Sequence, residues 1–427
     1  MSNLSQRDNI NDIIYEETSH NQNYELYEND NINNDNINND TGINDIEYNI
    51  VPPSNNENIY LKYYWKILCI IAAFYILPSL QFILFQINDN SVHCYYNNKC
   101  KYYFYNIPAF NNFISNIGYI LFGIIYIIYV VKNERIDKGN GIHTDNSLYI
   151  CLGLSLLLEG IFSSLYHLCP SKLNFQFDTT FMFIGTLLTY LTIFQKRHPQ
   201  KMPSPIKIYS ALSFIVSINI ISLSDIITGK DIWFWIILLL ILIYGMIQSS
   251  FYMYFNKSLK INKDFFNKLI SFRIKDIKLD HIPKYLFMII SNISTIIVGI
   301  VGIFNKSSFT DWMLGILTVN MIIYYVHYIV EKIYNYEMIS KLWILLLLIT
   351  IGILGTSTYF YLIPVSNKLL TPKESDALNK DCILFDFFDY HDIWHFLSSL
   401  GLFLLILNIY IIDKYLDNIP RNDIKIF

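Results

Sequence analysis

The stretch WFWIILLLILIYG, residues 233–245, contains no charged side chain, and WILLLLITIGILG at 343–355 repeats its composition. A helix needs about 20 predominantly apolar residues to cross the hydrocarbon core of a bilayer. Blocks of about this length recur between short polar loops along the chain. We therefore predict an all-α, polytopic membrane helix bundle with about ten transmembrane helices. They are placed at about 62–87, 112–132, 147–169, 177–195, 207–224, 231–255, 284–304, 311–331, 341–364 and 391–413.

The composition supports this class. Of the 427 residues, 53% are apolar and 15% are charged, and the mean hydropathy is +0.32. Residues 1–60 differ from the rest, because they are rich in asparagine and acidic residues and hold a single basic residue, Arg7. Such a segment cannot bury enough apolar surface to offset the entropy of ordering it. We expect residues 1–60 to be a disordered cytosolic tail and 61–427 to be the transmembrane domain.

Loop charge predicts the orientation of the bundle. Lysine and arginine are concentrated in alternate loops, at about 132–146, 195–207, 256–284 and 331–341. Cytosolic loops carry the excess of basic residues in membrane proteins. Both termini are therefore expected in the cytosol, with the plasma membrane or an endolysosomal membrane as the location. The ends of helices three and ten that carry histidines then lie on the exoplasmic side.

Ionisable side chains at the ends of these apolar segments are the candidate functional residues, since charge inside a bilayer is unfavourable and is retained mainly for function. In HDIWH, His391 and His395 are four residues apart and share one helical face. His167 ends helix three, Asp178 begins helix four, and Ser163 lies one turn from His167. The predicted topology brings these residues to one membrane depth.

Three imidazoles and a carboxylate predict a zinc site. His167, His391, His395 and Asp178 are the predicted ligands, and three imidazoles leave a fourth position for water. Asp178 is also expected to accept a proton or orient that water, and Ser163 to hydrogen-bond the water or stabilise an oxyanion. HDIWH further resembles the H-E-x-x-H zinc-protease helix with Asp392 in place of glutamate. A role for Asp392 in capping the helix start is the favoured alternative.

Two further groups of residues bear on the site. Four cysteines fall in exoplasmic segments, where disulfides form, and their pairing is left open among three connectivities. A bridge between Cys169 and Cys382 would pin helix three to the approach of helix ten. Glu159 lies deeper in helix three. It is expected to relay protons or to anchor helix three to Ser115 or Asn116 of helix two. The four exoplasmic cysteines are Cys94, Cys100, Cys169 and Cys382.

Three long stretches resemble one family: NNFISNIGYILFG (111–123), EGIFSSLYHLCPSKLNFQFDTTFMF (159–183) and CILFDFFDYHDIWHFLSSLGLFL (382–404). They are similar to the transmembrane half of the systemic-RNA-interference-defective (SID) transmembrane family. That family is grouped in the CREST superfamily of metal-dependent membrane hydrolases, with alkaline ceramidases and adiponectin-type receptors. The resemblance places its zinc site on Ser163, His167, Asp178, His391 and His395. The extracellular region that binds double-stranded RNA in the family precedes the part matched here.

Three functions follow as expectations. The main one is zinc-dependent hydrolysis of an amide or ester of a membrane lipid such as a ceramide or phospholipid. The alternative is transport of double-stranded RNA or a sterol, with zinc as a structural staple between helices. A receptor that signals through a released lipid product is the third. A homodimer is also expected.

Overall fold

The computed structural model describes residues 62–89, 92–134, 140–142, 145–224, 232–255, 282–304 and 308–427. The predicted disordered tail, residues 1–60, lies outside these ranges, as does most of the basic loop at 256–284. The chain divides into a unit at Met1–Asn49 and a unit at Ile50–Phe427, and the second is described below.

Within the described ranges, ten helices are long and apolar enough to cross a membrane, which confirms the predicted class and number. Their ends lie within three residues of the predicted ends. The helices are α1 Tyr64–Asn88, α2 Phe110–Ile114 continuing as Ile117–Lys132, α3 Ser147–Leu168, α4 Phe175–Gln195, α5 Pro205–Leu223, α6 Ile232–Phe255, α7 Ile282–Phe304, α8 Phe309–Tyr334, α9 Lys341–Tyr361 and α10 Tyr390–Ile411.

Helices α3 and α4 form the centre of the bundle. About three quarters of each is buried, 72% and 78%, against 17% for α9. Helix α3 packs against α1, α2, α4 and α10. Its contact with α2 is close, because a Cβ added at Gly123 would lie 2.7 Å from the backbone nitrogen of Leu157. Small residues permit such approach between membrane helices. The central helices can therefore carry polar side chains that lipid never reaches.

One end of the bundle, called the site face, holds the segments 92–109, 169–174 and 362–389. A strap of residues 94–100 crosses it, fixed by disulfides Cys94–Cys169 and Cys100–Cys382. Cys169 and Cys382 are therefore not bridged to each other, and the pairing that joined them directly is wrong. The strap links the end of α3 to the approach of α10 in two steps.

The opposite face is closed by a buried ion network. Asp413, after α10, forms ion pairs with Lys196 at 3.1 Å, Arg197 at 3.1 Å and Lys332 at 2.8 Å. Glu337 pairs with Arg197 at 2.7 Å and with Lys332 at 2.6 Å. The side chains of these five residues are at most 10% exposed. The network joins the ends of α4, α8 and α10.

His198 adjoins this network, and its burial predicts sensitivity to acid. It is 4% exposed, and neither ring nitrogen has a hydrogen-bond partner. Burial, followed by the charges of Lys284, Arg197 and Lys201, lowers the pKa of His198 from 6.5 to about 3. A histidine whose pKa is lowered by folding contributes stability above its unfolded pKa, and that stability is lost as the pH falls.

Acidification from pH 7.5 to pH 5 should therefore remove about 2 kcal/mol of folding free energy through His198. We expect His198→Asn to abolish this part of the loss, because asparagine does not titrate. The midpoint of thermal unfolding, measured at both pH values for both proteins, checks it. His93→Asn, at an exposed histidine, is the matched control and should change nothing. Equal acid sensitivity in wild type and His198→Asn would contradict the prediction.

Candidate metal centre

The start of α10 is fixed by a capping box. The Oδ1 of Asp389 accepts hydrogen bonds from the backbone N–H groups of His391 at 2.8 Å and Asp392 at 3.0 Å. In return, Asp392 Oδ2 accepts from the N–H of Asp389 at 3.0 Å. Side chains that satisfy the free N–H groups of a first turn define where a helix begins. This cap sets the position of His391 in the first turn of α10.

The strap holds the cap in place. The side-chain amide of Asn97 donates to Asp389 Oδ2 and to the carbonyl of Lys380, both at 2.9 Å. Asp389 is fully buried. The two disulfides therefore do more than close loops, because the segment between them positions the residue that caps α10.

Both carboxylate oxygens of Asp392 accept hydrogen bonds from α2. The donors are the side-chain amides of Asn111 at 3.0 Å and Asn112 at 2.9 Å. The prediction that Asp392 caps the helix is confirmed by its bond to Asp389. These contacts tie it to α2 and to the cap, so the resemblance to a zinc-protease helix gains no support.

The side chains of the three predicted histidines, His167, His391 and His395, lie next to one another. The ring centroids of His167 and His391 are 5.1 Å apart, those of His167 and His395 5.0 Å, and those of His391 and His395 4.5 Å. One ring nitrogen of each lies within 4.8 Å of the other two. Among the described residues they are the group placed to hold a metal ion. The four-residue spacing in α10 and the end of α3 produce this convergence.

The donor set fits zinc. His167 is 5% exposed, yet its Nε2 has no hydrogen-bond partner, an arrangement that is unfavourable unless something else binds that nitrogen. The Nε2 atoms of His391 and His395 are 3.0 Å apart. Three neutral imidazoles are a ligand set that zinc accepts, with metal–nitrogen bonds of about 2.0–2.1 Å. Small side-chain movements would bring the three nitrogens to that distance.

Asp178 and Ser163 form a separate pair beside the histidines. The Ser163 hydroxyl donates to Asp178 Oδ1 at 2.5 Å, and both side chains are buried. Asp178 lies outside the group of three histidines. Its role as a metal ligand, and the catalytic roles of Asp178 and Ser163, therefore remain predictions.

Glu159 does not anchor α3 in the predicted way. The hydroxyl of Ser115 donates to the carbonyl of Asn112, and the side-chain amide of Asn116 donates to the same carbonyl. The Oε2 atom of Glu159 has no hydrogen-bond partner, although the residue is buried. The described contacts therefore do not support the alternative in which Glu159 anchors α3 to Ser115 or Asn116 of α2.

A cavity of about 380 Å³ adjoins the histidines. Its wall combines aromatic and aliphatic side chains with polar and charged ones in nearly equal number, the latter including His167, Asp178 and His391. Lys368 also lines it, with its ammonium 2.9 Å from the centroid of the Phe175 ring. Burial lowers the pKa of Lys368 from 10.5 to about 8. Sequence reasoning missed Lys368, because nothing distinguishes it from the other loop lysines before the chain is folded.

Ten membrane-length helices in the described part of the chain, a buried histidine centre near one face and a cavity beside it define a polytopic membrane protein with a candidate metal site. The chain belongs to the SID-1 family, because the family model described as "dsRNA-gated channel SID-1" matches residues 2–427. This confirms the resemblance to the SID transmembrane family.

Similar proteins support the assignment. The chain is 31% identical over 391 residues to mouse SID1 transmembrane family member 1, which covers 86% of this chain and 47% of the relative. The human protein of that name is 30% identical over 391 residues. Cholesterol uptake protein 1 of Caenorhabditis elegans is 29% identical over 397 residues and is covered to 51%. The chain spans about half the length of these relatives.

Proposed function

We propose that this chain is an uptake protein for a membrane sterol, and that zinc bound by His167, His391 and His395 joins α3 to α10. The observation that carries the proposal is the cavity of about 380 Å³ beside the histidines. Sites for small ligands have volumes of about 300–1,000 Å³, with mainly apolar and aromatic walls and a few polar groups. A sterol has a rigid apolar body and one hydroxyl; the aromatic part of this wall, which includes Phe175 and Trp394, would contact the body, and the polar part would contact the hydroxyl.

The comparisons favour transport over hydrolysis. The family description speaks of a channel, and the nematode relative is named for cholesterol uptake. The main sequence-based expectation, zinc-dependent lipid hydrolysis, gains no comparable support. We therefore propose transport, which the sequence analysis gave as the alternative, as the function of this chain.

Charge favours a sterol over double-stranded RNA as cargo. The described segments of the site face, 92–109, 169–174 and 362–389, contain six lysines and five carboxylates. Proteins bind nucleic acid chiefly by neutralising phosphates with clustered basic residues. A nearly neutral face does not provide this. The loop charges that predict cytosolic termini also predict that the site face is exoplasmic, where an extracellular cargo would arrive.

Zinc has a structural role in this proposal. His167 comes from the end of α3, and both other histidines come from the first two turns of α10. A metal shared by the two helices fixes the wall of the cavity that they form. A structural zinc site adds its binding free energy to the stability of the fold. The polar groups of the cavity outside the metal centre can then contact the cargo.

Filling the cavity tests the proposal. Leu314 lines the cavity, whereas Leu348 is 61% exposed on the outer surface of α9. We expect Leu314→Trp to reduce labelling of the purified protein by a photoreactive sterol at least about fivefold, since tryptophan occupies the space that the sterol needs. Leu348→Trp is the matched control and should label like wild type. Competition with unlabelled sterol, ceramide and phospholipid gives the selectivity.

Equal labelling of the two variants would overturn the sterol proposal. Labelling that ceramide or phospholipid removes as well as sterol does would replace it with a broader lipid site. Uptake of labelled double-stranded RNA by cells that express the chain, without sterol labelling, would support the RNA alternative.

Hydrolysis of a lipid amide or ester is the second candidate, because Asp178, which accepts a hydrogen bond from Ser163, lines the same cavity as His167 and His391. Zinc, when bound, polarises a carbonyl group and lowers the pKa of water. Asp178 would hold the proton released, and the Ser163 hydroxyl would orient that carboxylate. Product formation from a panel of ceramides and phospholipids, lost in Asp178→Asn, would favour this function.

A further inference from the structure

Two short turns on the site face carry aromatic side chains at their tips. In the first, called turn A, Phe104 and Ile107 exchange two backbone hydrogen bonds, at 3.1 and 3.0 Å. In the second, called turn B, Leu384 and Phe388 exchange two, at 3.2 and 3.0 Å. Turn A immediately precedes α2, and turn B immediately precedes α10. Both turns therefore lie where a membrane-spanning helix begins.

The tip of each turn presents an aromatic ring outside the protein. Tyr105 of turn A is 89% exposed, and Phe385 of turn B is 84% exposed. Both have a positive φ, 49° and 56°, in the left-handed region that bulky residues rarely adopt. Packing within the chain does not compensate for this strain, because both side chains are almost fully exposed. Exposed aromatic rings on a strained backbone indicate a contact with something outside the chain.

The two turns form one surface. The ring of Tyr102 lies 4.9 Å from that of Phe387, and the Tyr102 hydroxyl donates to the carbonyl of Asp386. The disulfide Cys100–Cys382 joins the segments that lead into the turns. Their shared surface, called the aromatic patch, consists of five residues that are each at least 41% exposed: Tyr102, Tyr103, Phe104, Tyr105 and Phe385.

The aromatic patch continues the lipid-facing surface of α2. The ring centroid of Phe104 lies 4.7 Å from that of Phe110 in the first turn of α2, and Phe110 lies 6.5 Å from Phe113. At about 100° per residue, positions 110, 113, 117, 121, 124 and 128 share one side of the helix. Exposed apolar side chains on a membrane-spanning helix face lipid, so the patch borders lipid as well. The exposed members of this side are Ile117, Leu121, Ile124 and Ile128.

The length of α2 gives the depth of the patch in the membrane. From Phe110 to Lys132 the span has 23 residues. At 1.5 Å per residue it is about 34 Å long, slightly more than the hydrocarbon core of about 30 Å. Phe110 therefore lies at the boundary between hydrocarbon and headgroups, and turn A stacks on it there. Tyrosine and tryptophan are enriched at this boundary, because their rings are apolar and carry one polar group.

The charges around the aromatic patch balance. Residues 99–107 and 381–388 contain two lysines and two aspartates. Anionic lipids attract clusters of basic residues, and these two segments provide none. A surface of this kind binds a membrane chiefly through the apolar area that it buries. Zwitterionic phospholipid is therefore the lipid that the patch fits.

We propose that the aromatic patch inserts into the bilayer leaflet on the side of the site face and binds zwitterionic phospholipid there. Contact with lipid removes Tyr105 and Phe385 from water, which offsets the strain of their backbone. Turn B leads directly into Asp389, the residue that caps α10. The inserted patch therefore also holds the start of α10, with His391, at a fixed depth. The proposal concerns the bilayer alone, so it does not depend on the cargo of the cavity.

Fluorescence quenching in liposomes tests this contact. A small polarity-sensitive fluorophore is attached to Tyr105→Cys or Phe385→Cys of the full chain, in which the two free cysteines, Cys69 and Cys151, are replaced by alanine. The liposomes are phosphatidylcholine with a nitroxide quencher on the headgroup or in the middle of the acyl chain. Iodide in the buffer is the quencher for labels that water reaches.

Lys373→Cys is the matched control, at an exposed residue of the site face outside the patch. We expect the headgroup nitroxide to quench the labels at positions 105 and 385 at least about threefold more than the label at 373. Iodide should give the opposite order. A label on Leu121→Cys marks the hydrocarbon core and should be quenched most by the nitroxide in the acyl chain.

The labels at 105 and 385 are measured separately, so the test remains decisive if one variant fails to fold. Quenching by the headgroup nitroxide equal to that at 373 would overturn the proposal. Protection from both nitroxide and iodide would also overturn it, since protein, such as a second copy of the chain, would then cover the patch. Insertion that requires anionic lipid would contradict the assignment to zwitterionic phospholipid. Each of these results leaves the sterol-labelling experiment unaffected.

Discussion

Replacing His395 with alanine is expected to lower the zinc content of the purified protein from about one ion per chain to below about 0.1. Two of the three imidazoles would remain, from His167 and His391, and two nitrogen ligands hold zinc far more weakly than three. The loss should be large because His395 is fully buried and no other described histidine, cysteine or carboxylate belongs to the group. Metal analysis of the detergent-purified protein measures it.

His93→Ala is the matched control, since His93 is an exposed histidine on the same face outside the cluster. It should keep its zinc. Asp178→Asn tests whether Asp178 is a ligand in addition to the histidines. If this variant keeps its zinc, the histidines alone bind the ion; if it loses zinc, Asp178 is also a ligand. Zinc retained by His395→Ala, or equal loss in His93→Ala, would contradict the proposed site.

The convergence of the histidines could be predicted because it depends on few quantities. Helix lengths follow from the thickness of the bilayer, and ten crossings place the ends of α3 and α10 on the same side. The spacing of His391 and His395 fixes their common face. The helical spacing and the number of crossings were sufficient to predict that the histidines converge, and both can be read from the sequence. Polar residues in α3 and α4 reflect their central position, as membrane helices are polar where they face protein.

The surroundings of the site depended on packing and could not be predicted. Cysteine positions allow three pairings, and only the path of the strap selects Cys94–Cys169 and Cys100–Cys382. The bonds from Asn111 and Asn112 to Asp392 join residues about 280 positions apart. Loop lysines look alike in sequence, so Lys368 could not be assigned to the cavity.

The burial of basic residues on the opposite face was also not predicted. Sequence reasoning counted Lys196 and Arg197 as loop charges that set the orientation. Both are 4% exposed and belong to the ion network around Asp413. The positive-inside rule describes where charges lie relative to the membrane and says nothing about whether water reaches them.

Replacing Asp413 with asparagine is expected to destabilise the fold by about 3–5 kcal/mol. Asp413 is 2% exposed and, together with Glu337, balances three cations. Its removal also deprives the Tyr328 hydroxyl of an ionised acceptor at 2.7 Å. Removing one partner of a buried pair leaves charge without compensation, whereas replacing a whole pair with apolar groups can be neutral. Thermal or denaturant unfolding of the zinc-loaded protein measures the loss.

Asp423→Asn is the matched control, because Asp423 is an exposed carboxylate near the same face. Its effect should stay within about 0.5 kcal/mol. Added sodium chloride distinguishes the two sites further. It screens interactions of an exposed charge such as Asp423, and it screens those of a buried charge such as Asp413 much less. The histidines lie at the other end of α10, about 30 Å away along the helix. Zinc content should therefore survive in Asp413→Asn, and excess zinc should offset part of its instability by binding the folded state. Wild-type stability in Asp413→Asn would show that the network contributes no net stabilisation.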